Sequence, residues 1–132
     1  MELLTLNLLP QTFAIARLQA NDPIPAWALG GAFTSVTRTP DELSIVCEDR
    51  RIPPGHQSEG GRRAFMVQGP LDFSLTGILS ALSGALAQAG VSIFAISTYD
   101  TDYILVREVD LETAMAALRE AGCILRAVED DT

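Results

Sequence analysis

GPLDFSLTGILSALSGALAQAGVSIFAISTYDTDYILV, residues 69–106, carries the pattern that decides the fold. Leu75, Ile78, Leu79, Leu82 and Leu86 recur at helical spacing and make one apolar stripe. Asp72 or Ser74 suits the cap of this helix, and Gly90 stands where a left-handed residue ends it. A strand follows over residues 92–98, turns near Asp100 and returns over 103–106. Upstream, AFMVQG (64–69) reads as a strand. Downstream, DLETAMAALREAG (110–122) reads as a second helix, capped by Asp110 and ended by Gly122, with Leu111, Ala114, Met115 and Leu118 facing inward. A last strand covers 123–128. The order strand, helix, strand, strand, helix, strand is the ferredoxin-like pattern. It predicts an α+β fold, an antiparallel sheet with its helices on one face.

The first half is less regular. LLTLNLL (3–9) and TFAIARL (12–18) read as strands. Pro25, Ala26, Trp27, Ala28 and Leu29 read as a short helical turn, and FTSVTRT with ELSIVCE as a hairpin around Pro40 and Asp41. Set beneath one another without a gap, SVTRTPDELSIVCE (35–48) and AISTYDTDYILVRE (95–108) match at a shift of 60, and Gly30 then meets Gly90. This predicts a degenerate internal duplication. The first copy has a shortened first helix, and DRRIPPGHQSEGGRR (49–63) stands as an irregular loop where the second helix belongs.

The chain has 132 residues, 48% of them hydrophobic and 20% charged, as in a soluble globular protein. A formal charge of −8 opposes binding to nucleic acid or an anionic membrane, since phosphate contacts need basic side chains. No apolar run is long enough to span a bilayer, and MELLTLNLLP has no basic leader and carries Glu2. Cys47 and Cys123 sit in separate apolar runs, without C-x-x-C spacing, and read as small buried side chains. These features predict a cytoplasmic protein.

The tip of the second hairpin, Ser97, Thr98, Tyr99, Asp100, Thr101 and Asp102, lacks the Asn-Gly or Gly-Gly of a tight turn. Hydroxyls and carboxylates there have two readings. Asp and Thr form turns because their side chains bond to nearby backbone. They also suit a polar ligand. A free amino acid is a zwitterion and needs donors and acceptors close together. The first turn of the helix that opens near Ser74 offers N–H groups to a carboxylate, and Asp100, Asp102 and Asp72 offer oxygens to an ammonium or guanidinium.

GPLDFSLTGILSALSGALAQAGVSIFAISTYDTDYILV (69–106) resembles the ACT-domain family, in particular its small bacterial stand-alone branch. That branch is similar to the ACT domains of the CASTOR arginine sensors and, more distantly, of aspartate kinases. IPAWALGGAFTSVTRTPDELSIVCE (24–48) resembles the N-terminal half of the same branch, whereas Arg62 stands where that branch has an aromatic residue. The resemblance implies a degenerate ACT-like repeat over 1–60 and an ACT domain over 61–132. It implies a non-catalytic regulatory module that binds a small amino acid where two ACT-like units meet. One wall would be Pro70, Leu71, Asp72, Phe73 and Ser74 after Gly69; another would be the second strand of a neighbouring unit. That neighbour is either internal, with 33–39 and 93–99 as facing edges, or a second copy in a homodimer.

A module that only joins proteins or its own copies is the second reading, with the polar hairpin as plain surface. An enzyme is the third, and little supports it. There is no G-x-S-x-G, no phosphate-binding loop and no cofactor fingerprint. His56 is the one histidine, so no metal set and no catalytic pair is expected, and it reads as a solvated loop residue. Trp27 reads as packing, and the arginines at 50, 51, 62 and 63 as solvated. A surplus of carboxylates at the hairpin favours a cationic amino acid such as arginine or lysine.

Overall fold

The computed structural model describes residues 4–69 and 77–129. In chain order the strands are β1 (Thr5–Leu8), β2 (Phe13–Leu18), β3 (Ser35–Arg38), β4 (Leu43–Glu48), β5 (Gln57–Val67), β6 (Ile93–Ser97), β7 (Asp102–Arg107) and β8 (Ile124–Ala127), with helices α1 (Ile78–Gln88) and α2 (Leu111–Glu120). They form two compact units, Gln11–Arg62 and Met1–Pro10 with Arg63–Thr132. The expected division after residue 60 therefore differs at the N-terminus, where residues 4–10 belong to the C-terminal unit.

The C-terminal unit has the βαββαβ order, and its strands lie β8-β1-β5-β7-β6. Without β1 this is the ferredoxin-like order. β1 lies between the first and last strands, antiparallel to β5 (Leu6 opposite Val67) and parallel to β8 (Leu6 opposite Leu125). The sheet is thus not wholly antiparallel as expected. A strand inserted between two antiparallel neighbours must run parallel to one of them. The helices cover one face, where Leu82 and Leu86 of α1 and Ala114 and Leu118 of α2 are fully buried with Leu6, Phe65, Val67, Ile104 and Val106. Both helices end as their glycines predict. Val91 N–H reaches back to Leu86 O (2.9 Å) and Cys123 N–H to Leu118 O (3.0 Å), the bond that closes a helix on a left-handed residue.

Two expected caps differ. Gly77 has φ +83°, which no residue inside an α-helix adopts, so α1 starts at Ile78 rather than near Ser74. Asp110 does precede α2, but its carboxylate accepts from Arg107 Nε (3.1 Å) instead of the helix backbone.

The N-terminal unit repeats the topology with the helices reduced to single 3-10 turns, Ala26–Ala28 and Asp49–Arg51. Its strand order, β3-β4-β2-β5, again runs second, third, first, fourth. Ala16, Ala28, Leu43, Ile45 and Cys47 form its core, with Trp27 and Ile52 packed on them. The long strand β5 serves twice: residues 57–62 end this repeat and 63–67 begin the next.

This corrects the reading of 49–63 as a loop. Residues 57–62 pair with β2, and only 52–56 lie between the 3-10 turn and the strand. Gly60 and Gly61 stand against Ala14 alone, where the register changes from Phe13 opposite Arg62 to Ile15 opposite Glu59. That is a β-bulge, and Gly61, at φ +66°, takes the left-handed position it needs.

The strand registers set the two hairpins in correspondence at a shift of 59, one less than the ungapped match. Arg38 opposite Leu43 closes the first hairpin and Ser97 opposite Asp102 the second. The following 3-10 turns begin at Asp49 and Glu108, and each is bridged by an i,i+3 ion pair of reversed polarity, Glu48–Arg51 (3.8 Å) and Arg107–Asp110 (3.1 Å).

Candidate functional site

Pro70, Leu71, Asp72, Phe73 and Ser74 lie outside the described residues. The other expected site residues form the tip between β6 and β7. Thr98 N–H donates to Thr101 O (2.8 Å) and Thr101 N–H to Thr98 Oγ1 (3.2 Å), while the Thr98 hydroxyl donates to Thr101 O (3.0 Å). Thr39 and Glu42 make the same backbone bond in the first repeat, Thr39 N–H to Glu42 O (2.9 Å), and Glu42 N–H again reaches the threonine hydroxyl (3.1 Å). Thr98 is thus a turn former, as its side chain predicts.

Ser97 and Asp102 face each other across the last strand pair, and the serine hydroxyl donates to Asp102 Oδ1 at 2.6 Å. Thr101 is buried, and its hydroxyl donates to the carbonyl of Val67 at the end of β5. This bond fixes the hairpin tip beside the exit of β5, where Gln68 and Gly69 lead onward. Tyr99 is 79% exposed and Asp100 is exposed beside it. Burial, and then the Asp100 carboxylate, hold the Tyr103 hydroxyl pKa above its ordinary value.

Helix α1 presents its first turn nearby in sequence. Ala81 N–H is bonded to Gly77 O (2.9 Å), so the N–H groups of Ile78, Leu79 and Ser80 precede the first intrahelical bond and face out of the helix end. Ser74, where such donors are expected from the sequence, lies outside the described residues.

A second polar cluster, in the N-terminal unit, escaped the sequence reading. Glu48 is buried to 3% exposure, and its Oε2 accepts from Ala32 N–H (3.0 Å). Its Oε1 meets Arg50 Nε and Nη2, both at 3.1 Å. Arg51 Nε lies 3.8 Å from Oε2. The sequence holds the parts, a glutamate ending an apolar run, two arginines just after it and a Gly-Gly upstream, but not the burial that joins them. His56 is exposed as expected and lies on the Trp27 ring, 5.1 Å between centroids. Cys47 and Cys123 are free, buried thiols, both with pKa raised by burial. Among the described residues no group of three or more His, Cys, Asp or Glu side chains is placed to hold a metal ion. No helix there is long and apolar enough to cross a membrane.

A ferredoxin-like βαββαβ unit, preceded by a unit of the same strand order with 3-10 turns in place of helices, defines the class of protein. Residues 57–120 match the ACT-domain family model, and a model of an N-terminal domain matches 11–55. Residues 57–120 form an ACT domain. It is 42% identical to protein Atu0741 from Agrobacterium tumefaciens, over 100% of this chain and 98% of that one, with a TM-score of 0.93. It is 29% identical over 107 residues to the human "Cytosolic arginine sensor for mTORC1 subunit 1", covering 73% of this chain and 32% of the sensor. The match thus spans about a third of the length of the arginine-sensor relatives. The ligand-free regulatory subunit of aspartate kinase from Thermus thermophilus shares the fold, with a TM-score of 0.58 at 13% identity over 83% of this chain and 91% of that one.

Proposed function

We propose that this chain is a non-catalytic regulatory module that binds a small amino acid and passes the signal on through association. The ligand would lie at the β6–β7 tip and the loop leaving β5, against another ACT-like unit. The carrying observation is the Thr101 hydroxyl bond to Val67 O, which holds the Ser97–Asp102 pair beside the start of that loop. The relative named as an arginine sensor and the neighbour named as a regulatory subunit support a regulatory role. Asp102 would accept from the ligand's cationic end, and N–H groups at the start of α1 would meet its carboxylate. Binding at an interface couples ligand to assembly by mass action, which is all such regulation requires.

Calorimetric titration with each of the twenty amino acids tests this. Heat with one of them, lost in Asp102→Ala while the circular dichroism spectrum is kept, is the expected result. No heat with any, up to millimolar, overturns it.

One observation favours the other reading, a pure interaction module. Asp102 already has a donor in Ser97, and Thr98 and Thr101 are spent on the turn and on Val67. That reading predicts a homodimer whose mass and melting temperature ignore amino acids, with Asp102→Ala nearly silent.

A further inference from the structure

We draw no further inference here: the strongest candidate, the side-chain cluster of the N-terminal unit in which buried Glu48 meets Ala32 N–H, Arg50 and Arg51, has its carboxylate oxygens engaged by its own members, and nothing among the described residues points to a ligand that would replace one of them.

Discussion

A Cβ placed on Gly31 would stand 2.2 Å from Oε2 of Glu48 and 3.0 Å from Arg51 Nε. Gly31 also has φ +91°, which a side chain strains. The buried carboxylate and the bare backbone are therefore made for each other. Gly31→Ala should cost about 2–4 kcal/mol, combining left-handed strain with the displacement of a buried, hydrogen-bonded acid. Glu48→Ala alone should cost less, since the facing arginines are partly solvated. The double variant should be more stable than the sum of the two losses predicts, because the clash is gone. Urea unfolding of the four proteins measures the coupling, and simple additivity would show that the two residues do not oppose one another.

Thr101 is one of two buried polar or charged residues among those described, the other being Glu48. Its hydroxyl gives the Val67 carbonyl a partner that no apolar side chain can replace. Thr101→Val keeps the shape and loses the donor, at a cost of about 1–2 kcal/mol. Thr101→Ser keeps the donor and should lose less than half as much. Equal losses in the two variants would assign the role to the methyl group. Chemical denaturation monitored by far-ultraviolet circular dichroism separates them.

The contrast between these two residues shows what was legible in the sequence. Thr101 was visible as a hairpin residue because turn chemistry is local, and α1 and α2 were visible because Leu82, Leu86, Ala114 and Leu118 recur at one period. Glu48 was not, because a charge at the end of an apolar run looks the same whether solvated or buried. Whether its carboxylate is satisfied depends on Ala32, sixteen residues away. Gly60 and Gly61 misled for a related reason. Two glycines beside charged residues suggest a loop, but opposite Ala14 they are a bulge in a long strand. The match between the hairpins was found one residue out of step, since side-chain resemblance tolerates a slip that hydrogen-bond register does not. Of the ligand residues, the Ser97–Asp102 group is brought together at one tip, and the segment 70–74 lies outside the described residues.

Burial raises the pKa of both thiols and, with Asp100, that of the Tyr103 hydroxyl. The fold thus favours their neutral forms over what the unfolded chain does. The stability this represents is full below the unfolded thiol pKa of about 8.5 and is lost as pH rises above it, with Tyr103 adding to the loss from about pH 10. The urea midpoint should be level between neutrality and about pH 8 and fall beyond it. Ellman's reagent at pH 8 should label neither Cys47 nor Cys123 until denaturant is added. Rapid labelling of the native protein would mean that one of them opens to solvent far more readily than its burial implies.

The position of β1 bears on which part of the chain can fold by itself. A fragment of residues 61–132 contains a whole βαββαβ unit in sequence, and on sequence grounds it should be self-sufficient. In the structure β8 does not pair with β5; β1 lies between them. Removing it takes Leu6 out of the core, where it is fully buried with Phe65, Val67, Leu118 and Cys123. It also takes the backbone partners of Ile124 and Val128, which donate to Leu4 O (2.8 Å) and Leu8 O (2.9 Å), and the acceptor for Gln68 N–H at Thr5 O (2.8 Å). Loss of one buried leucine alone costs about 2–5 kcal/mol, and loss of a central strand strands the ladder on both sides. Against a typical stability of about 5–15 kcal/mol this leaves little. The fragment should therefore show a poorly dispersed amide proton spectrum and no cooperative melt. Joining residues 1–10 to its N-terminus through a flexible linker, in place of residues 11–60, should restore both. A well-dispersed spectrum from 61–132 alone would mean that β8 can close directly on β5, and that β1 is an addition to the unit rather than part of its core.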